Sequence, residues 1–253
     1  MVKVMISRFT ILLACLMSMP SISQIVARNE TTLLYRQEVV GTATIHTNGW
    51  GFGIRYGKQL TVDKKLLFSF DIASMKHPKE TRVINPSQED ARGYIYGKTN
   101  SLTLLRPHIG QRRSLFPKLR DRGVELGYVW TAGPTLGLVK PIYLEICIAP
   151  TSPGNQGCIP STEKYNPLIH TPDEIKGKAP GTKGIGEIKI QPGLSAKFGF
   201  YFEYSPLEEG FRAVEVGVSV DAFNKRIPIL AIDNNKFIYQ SFYVSFVFGK
   251  KMF

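Results

Sequence analysis

The last stretch of the chain, residues 237–253, alternates large apolar side chains with small or hydroxyl-bearing ones. The apolar parity holds Ile238, Phe242, Val244, Phe246 and Phe248. A period of two predicts a β-strand with one apolar face, because successive side chains of a strand point to opposite sides. Three phenylalanines on one strand face are typical of a surface that meets lipid. We therefore expect this strand to belong to a membrane barrel.

The same period predicts seven further strands upstream. In chain order the eight are 42–57, 65–74, 94–105, 124–132, 135–148, 187–204, 211–223 and 237–253. Alternation continues through Asn48-Gly49, so we interpret this dipeptide as part of the first strand although Asn-Gly often forms a hairpin turn. Gly133-Pro134 is interpreted as the turn between the fourth and fifth strands, with Lys140-Pro141 as the alternative. The predicted fold is all-β: an antiparallel transmembrane β-barrel of about eight strands.

Charged residues occupy the parity opposite the apolar one. We expect these side chains to form a charge network in the lumen: Arg55, Asp71, Glu125, Glu145, Lys189, Lys197, Glu203, Glu215 and Asp221. Eight strands enclose an interior just wide enough for side chains, so paired charges would leave little room for solute. A soluble sandwich or lipocalin-like barrel with its apolar face inward shows the same alternation and is the alternative.

The amino-terminal residues 1–23 predict a cleaved signal peptide rather than part of the fold. Lys3 and Arg8 precede the apolar run 9–19, and small residues at 21 and 23 flank a cleavage position. Residues 24–41 are then a periplasmic lead-in and 42–253 the barrel. Downstream of residue 23 no apolar run of about 18 residues occurs, so crossing a membrane would require a closed barrel. The signal peptide and the aromatic strands together favour the bacterial outer membrane.

Composition adds a basic charge and one cysteine pair. The net charge is +12, and it falls to +10 without the signal peptide, which carries two basic residues and no acidic one. Cys147 and Cys158 remain after the third cysteine, Cys15, leaves with the signal peptide. An even number of cysteines in an oxidising compartment predicts a disulfide, here at the root of the long loop 149–186; two unpaired thiols are the alternative.

Residues 106–122 form a strongly basic stretch that we interpret as a loop. Its last part carries five basic residues: Arg112, Arg113, Lys118, Arg120 and Arg122. Guanidinium groups bind phosphate in a bidentate manner, so the hypothesis is that this loop binds lipopolysaccharide or an acidic partner; a merely solvated loop is the alternative. With a periplasmic amino end, the loops 58–64, 107–122, 149–186 and 224–236 are expected to face outward, and 77–93 falls in the periplasm.

Candidate chemistry is sparse. No G-x-S-x-G motif occurs, and the histidines are His46, His77, His108 and His170. Ser74 and His77 lie close in sequence, with Asp71 upstream, but their spacing at a strand end is interpreted as coincidence. No cluster has metal-ligand spacing, so we expect no metal, no cofactor and no enzymatic activity. Nucleic acid is excluded as a partner by the compartment.

Several motifs resemble a family of small, largely uncharacterised outer-membrane barrels of Bacteroidota. They are HTNGWGF at 46–52, MKHPKE at 75–80, YGKTN at 96–100, LGLVKPIYLE at 136–145, IQPGLSAKFGF at 190–200 and VDAFNKRIPI at 220–229. The resemblance implies a fold and a location, and no functional residue.

The remaining function is reached by elimination. We expect a non-enzymatic structural or partner-binding subunit of a larger outer-membrane assembly, transport or secretion complex. Its expected partners are outer-membrane lipid, including lipopolysaccharide, and other outer-membrane or periplasmic proteins. The alternatives are a narrow porin-like channel for small solutes and a lipid-modifying barrel enzyme.

Overall fold

Eight long strands close into one antiparallel barrel in the computed structural model of this chain, which describes residues 37–86, 91–118, 123–148, 159–205, 210–231 and 235–252. The thirteen strands are β1 Gln37–His46, β2 Gly49–Thr61, β3 Lys64–Met75, β4 Arg82–Val83, β5 Tyr94–Ile95, β6 Asn100–Phe116, β7 Glu125–Pro141, β8 Tyr143–Ile148, β9 Ile159–Lys164, β10 Ile175–Lys178, β11 Lys189–Glu203, β12 Phe211–Phe223 and β13 Ile238–Met252. The predicted signal peptide, 1–23, lies outside the described residues.

The barrel closes between its first and last strands. The order around it is β1-β13-β12-β11-β7-β6-β3-β2, with β2 again beside β1. The closing ladder runs from Gln37 opposite Met252 to His46 opposite Tyr243. Closure leaves no unpaired strand edge, as lipid requires of a sheet. The predicted fold and the count of eight strands are confirmed.

The two faces of the barrel show which side meets lipid. Phe52 and Phe242, on the outer face, are 61% and 71% exposed, whereas Glu215 and Asp221, on the inner face, are 1% and 0% exposed. A soluble barrel would bury the aromatic face and expose the charges, which is the reverse of this arrangement. The chain is therefore a transmembrane β-barrel, and the soluble alternative is wrong. No helix among the described residues is long and apolar enough to span a membrane.

Two predicted turns are wrong, and these two errors compensate in the count. The predicted strand 94–105 is also misplaced, because the barrel strand β6 runs from Asn100 to Phe116. The stretch 42–57 is a hairpin: Thr47 and Asn48 form the turn between β1 and β2. The turn reverses the parity of the outward face: odd positions such as Ile45 face outward in β1, whereas even positions such as Trp50 do so in β2, and these two residues are directly paired. The continuous alternation assumed for 42–57 therefore holds only from Gly49 onward. β1 also begins at Gln37, inside the predicted lead-in 24–41.

The predicted turn at Gly133-Pro134 lies instead within one continuous strand, β7. The ladder between β6 and β7 is interrupted between the pairs Leu105–Leu136 and Ile109–Ala132, and in this gap Pro107 and Pro134 lie opposite one another. Because proline has no N–H to donate, two facing prolines cost the ladder fewer hydrogen bonds than two separate ones would. On its other side β7 pairs with β11 without interruption from Glu125 to Val139.

The three longest connections all lie at one end of the barrel. The connections 62–63, 117–124 and 204–210 lie at the end where β1 begins and β13 finishes, which we call the terminal end. The connections 47–48, 76–99, 142–188 and 224–237 lie at the other end, the loop end. The prediction that the connections 58–64 and 107–122 lie on the same side as 149–186 is therefore wrong. The connection 77–93, predicted on the opposite side from 149–186, lies at the same end as it.

A cap of small sheets stands at the loop end. We define the cap as the described residues of 76–99 and 142–188; it contains the pair β4-β5, the sheet β10-β8-β9 and the 3₁₀-helices Pro172–Glu174 and Ile185–Glu187. Its core is apolar and comprises Tyr94, Ile142, Leu144, Ile146, Tyr165 and Ile175. The end of the predicted strand 135–148 thus belongs to the cap and not to the barrel wall.

Candidate functional site in the barrel interior

Ion pairs cross the barrel interior at every level of its lower and middle parts. They arise from the inward parity of the strands. Acidic residues on β1, β3, β11 and β12 meet basic residues on β2, β3, β6, β11 and β13. Nearest the terminal end, Glu38 accepts hydrogen bonds from Lys65 and Arg112, both at 2.7 Å. The Arg112 guanidinium also lies over the rings of Phe211 and Tyr201, with 4.5 Å and 5.1 Å from carbon to centroid. The pair is held by charge and by stacking.

A second carboxylate at the terminal end also binds two cations. Glu203 accepts from Lys251 at 2.6 Å and from Lys118 at 3.1 Å, and the Ser205 hydroxyl donates to it at 3.0 Å. Its side chain is 2% exposed. Burying a carboxylate is costly unless charge partners and hydrogen bonds compensate, and here three donors do so.

Three ion pairs fill the middle of the lumen. Arg55 and Glu215 form a bidentate pair, with Nη2 to Oε2 at 3.1 Å and a second bond from Nη1. Lys197 donates to Asp71 at 2.9 Å. Inward glycines provide space beside these pairs: a Cβ on Gly53 would stand 2.0 Å from Oδ1 of Asp71. The small inward residues of β2 therefore allow the carboxylates to enter the lumen.

The third pair joins Arg106 to Asp221. Its Nε and Nη2 donate to the two carboxylate oxygens at 2.8 Å and 2.6 Å. Beside it, His108 contacts the hydroxyl of Ser195 through Nε2 and that of Thr131 through Nδ1, the latter at 3.3 Å. A serine and a histidine in contact could support nucleophilic chemistry, but His108 and Ser195 are 2% and 5% exposed, so a lipid substrate has no route to them.

An apolar lid lies between the ion pairs and the cap. Ile227 and Ile229, from the connection 224–237, are fully buried against inward residues of the barrel wall: Ala73, Met75, Leu102, Leu104, Val139, Phe223 and Tyr239. The backbone N–H groups of Thr99 and Asn100 donate to the carbonyl oxygen of Ile229, which ties the lid to the start of β6. The lumen is thus filled by charges below and by hydrocarbon above.

The residues of the predicted lumen network divide into two groups. Arg55, Asp71, Lys197, Glu203, Glu215 and Asp221 lie in the interior ion pairs, and Glu125 accepts from the Tyr201 hydroxyl at 2.7 Å. Glu145 lies in β8 of the cap, 3.5 Å from Arg92, and Lys189 is exposed at the start of β11. These two are outside the lumen because β8 leaves the barrel wall and β11 begins at the rim.

The predicted basic loop is largely strand. β6 extends to Phe116, so the loop interpretation of 106–122 is wrong for most of its length. Arg112 and Lys118 point inward to Glu38 and Glu203, while Arg113 is exposed on the outer face. Arg120 and Arg122 lie outside the described residues. The stretch was misread because Arg106 and Arg112 were counted as part of a charge run, whereas they share the inward parity of Leu102 and Leu104.

Sequence reasoning missed several interior partners. They are Glu38, Lys65, Arg106, His108 and Lys251. A parity test extended past residue 105 would have found Arg106 and His108, since Leu105 and Ile109 occupy the opposite face of β6. Glu38 was assigned to the lead-in, and Lys251, although inside the predicted strand 237–253, was not included in the lumen network.

The other histidines, Ser74 and the cysteines lie at separate places in the fold. His46 faces the interior, His77 lies in the cap with its Nδ1 accepting from the Lys79 N–H at 3.2 Å, and His170 lies 3.3 Å from Glu163. Ser74 ends a strand beside His77, with no hydrogen bond between the two side chains in the described structure. Among the described residues no three His, Cys, Asp or Glu side chains are grouped as metal ligands. Cys147 is in β8, and its predicted partner Cys158 lies outside the described residues.

Comparisons with known proteins returned distant structural likenesses. No protein-family model matches the sequence, and no curated protein matches it. Neisserial surface protein A is 10% identical, with a TM-score of 0.40, covering 85% of this chain and 95% of the other. The amino-terminal barrel domain of Pseudomonas aeruginosa OprF is 11% identical (TM-score 0.34; 85% and 95% covered), and Ail of Yersinia pestis is 8% identical (TM-score 0.35; 85% and 94% covered). At this distance, function has to be inferred from the geometry of this chain.

Proposed function

We propose that this chain is a non-conducting bacterial outer-membrane barrel that acts as a structural or partner-binding subunit of a larger outer-membrane assembly. The observation that carries this proposal is the filled lumen. Interior carboxylates and cations are paired, and Ile227 and Ile229 close the mouth with hydrocarbon. A channel needs a continuous aqueous path, whereas paired charges under an apolar lid leave none wide enough for a solute.

The orientation follows from the connections. Outer-membrane barrels have short periplasmic turns and longer extracellular loops. We therefore assign the terminal end to the periplasm and the cap to the cell exterior. The cap is then the surface offered to partners, and its tip exposes Leu168 and Ile169, which are 92% and 68% accessible. Membership of the Bacteroidota family suggested by the sequence motifs is part of this proposal.

The terminal end carries a belt of outward cations that fits the lipid part of the proposal. It comprises Lys58, Lys64, Arg113, Arg212 and Lys250. Lys64 and Arg113 lie directly opposite one another on β3 and β6, where like charges repel unless an anion lies between them. Phospholipid phosphates of the inner leaflet would supply that anion, so we assign Arg113 to phospholipid and not to lipopolysaccharide.

The test is a conductance measurement with a matched opened variant. Purified protein reconstituted in planar bilayers is expected to give no steady current. A variant with Ile227 and Ile229 changed to Gly and with Arg55→Ala and Glu215→Ala should conduct, because both the lid and a middle ion pair are removed. Large steady currents from the unmodified protein would instead support the narrow channel. Co-purification after mild solubilisation, compared between the wild type and Leu168→Ser/Ile169→Ser, tests the partner role.

A further inference from the structure

A cavity of about 580 Å³ lies between the barrel rim and the cap. The ends of β3 and β6 form one side of it, with Ser74, Met75 and Ser101, and the cap forms the other, with Tyr94 and Leu144. Cavities of roughly 300–1,000 Å³ are the usual size of small-molecule sites. Hydroxyl groups and an apolar floor are both present, as in sites for ligands with mixed polarity.

Cations dominate the charged groups that line this cavity. They are Lys76, Arg82, Lys98 and Lys178, against the single carboxylate of Glu80. Lys98 is neutralised by Glu80, with Nζ to Oε2 at 2.7 Å and side chains that are 11% and 5% exposed. In the described part of the chain Lys76, Arg82 and Lys178 make no ion pair. Among the described residues, the cavity wall therefore has three cations on exposed side chains without an ion-pair partner.

The Arg82 side chain is positioned by the backbone on the other side of the β4-β5 pair. A Cβ placed on Gly93 would stand 2.2 Å from Nε of Arg82, so the guanidinium lies directly over that glycine. A side chain at residue 93 would therefore displace the Arg82 guanidinium from this position. Lys178 enters from a different strand, β10, where it is paired with Leu144 of the cavity floor. Three cations from separate elements converging on one cavity are the arrangement expected of an oxyanion site.

We propose that this cavity binds a sugar carrying a phosphate or sulfate ester. The three free cations would hold the ester oxygens, since guanidinium and ammonium groups form charge-assisted hydrogen bonds with such anions. A bare phosphate would fill only a small part of 580 Å³. The hydroxyls of Ser74 and Ser101 and the ring of Tyr94 are suited to the sugar portion, which presents both hydroxyl groups and an apolar ring face.

The ligand chemistry has two possible sources at this position. A phosphorylated sugar can diffuse in from the medium, or it can be the headgroup of a phosphorylated glycolipid in the outer leaflet. Ligand binding at the cap does not depend on whether the lumen conducts. A failure to bind the sugar ester can therefore be distinguished from a failure of the proposed function.

The experiment measures binding to the full chain in detergent micelles by calorimetry, with glucose 6-phosphate as the probe and glucose as the uncharged comparison. We expect binding of glucose 6-phosphate only, weakened by added salt because the contacts are electrostatic. Arg82→Gln/Lys178→Gln should weaken it at least tenfold. Lys183→Gln, a change to an exposed cap lysine outside the cavity lining, should leave it unchanged. Heat-modified gel mobility checks that each variant is folded.

A second arm separates the two sources. Protein in vesicles of phosphatidylcholine with or without lipopolysaccharide is titrated with glucose 6-phosphate. Loss of sugar phosphate binding only when lipopolysaccharide is present supports the glycolipid as ligand, and undiminished binding supports the free sugar. No binding of glucose 6-phosphate in micelles, or equal affinity in the wild type and the double variant, would overturn the proposal.

Discussion

The guanidinium of Arg106 donates two hydrogen bonds to the carboxylate of Asp221, across 115 positions of sequence. Both side chains are at most 5% exposed. Removing one partner of such a pair leaves a buried charge uncompensated, so we expect Arg106→Met or Asp221→Leu to lower the free energy of unfolding by ~3–5 kcal/mol. The double variant should lose less than the sum of the two. Urea unfolding in lipid vesicles, followed by tryptophan fluorescence, measures all three; additive losses would show that the two side chains are not coupled.

The tight packing around Gly53 provides a second prediction. The Cβ of Gly53→Ala would meet Oδ1 of Asp71 at 2.0 Å and Oγ1 of Thr42 at 2.8 Å, and so displace Asp71 from Lys197. We expect a destabilisation of ~1–3 kcal/mol, as for other overpacked interiors. Gly181→Ala is the control, because nothing lies within 4 Å of its added Cβ. Equal stability of the two variants in urea would contradict the close packing described here.

The stability lost when a charge is placed on the lipid-facing surface should depend on the depth of that position in the membrane. Val216 lies near the middle of β12 on the outer face and is 46% exposed, whereas Val124, 55% exposed, precedes β7 at the terminal end. Val216→Arg should cost ~2–4 kcal/mol and Val124→Arg ~0–1 kcal/mol, because a charge at mid-membrane cannot reach water. Unfolding from vesicles measures both. If the arginine at residue 124 were the more costly of the two, the assigned membrane position would be wrong.

The orientation is tested by labelling single cysteines in a chain with Cys147 and Cys158 changed to Ser. Leu168→Cys in the cap should react with an impermeant maleimide in intact cells. Val62→Cys, in the short turn between β2 and β3, should react only after the outer membrane is permeabilised. The two positions are at opposite ends of the barrel, so reaction of both in intact cells would exclude the proposed orientation.

The disulfide between Cys147 and Cys158 stays a prediction. Secreted domains form such bonds in oxidising compartments, and closing this short loop would stabilise the cap by ~2–4 kcal/mol. Alkylation of the unfolded, unreduced protein should therefore modify neither cysteine, and alkylation after reduction should modify both. Two alkylated cysteines without reduction would show that the thiols are unpaired.

Several properties of this barrel were determined by sequence alone. The parity of Phe198, Phe200 and Phe202 against Lys197 and Glu203 predicted which side chains face lipid and which face the lumen. This succeeds because the pleat of a strand imposes a period of two whatever the strand is paired with. The count of eight strands was reached only because two errors compensated: the first hairpin was taken as one strand and β7 as two.

The partners inside the lumen were decided only by the tertiary structure. Lys197 binds Asp71, 126 positions away, and not the nearer Glu203 or Glu215, and Glu215 binds Arg55. Such pairings depend on strand order and register around the closed barrel, which no local pattern contains. The turn at Thr47-Asn48, by contrast, left a sign in the sequence: the outward apolar positions change from odd, as in Ile45, to even, as in Trp50, because these two residues are directly paired across the hairpin.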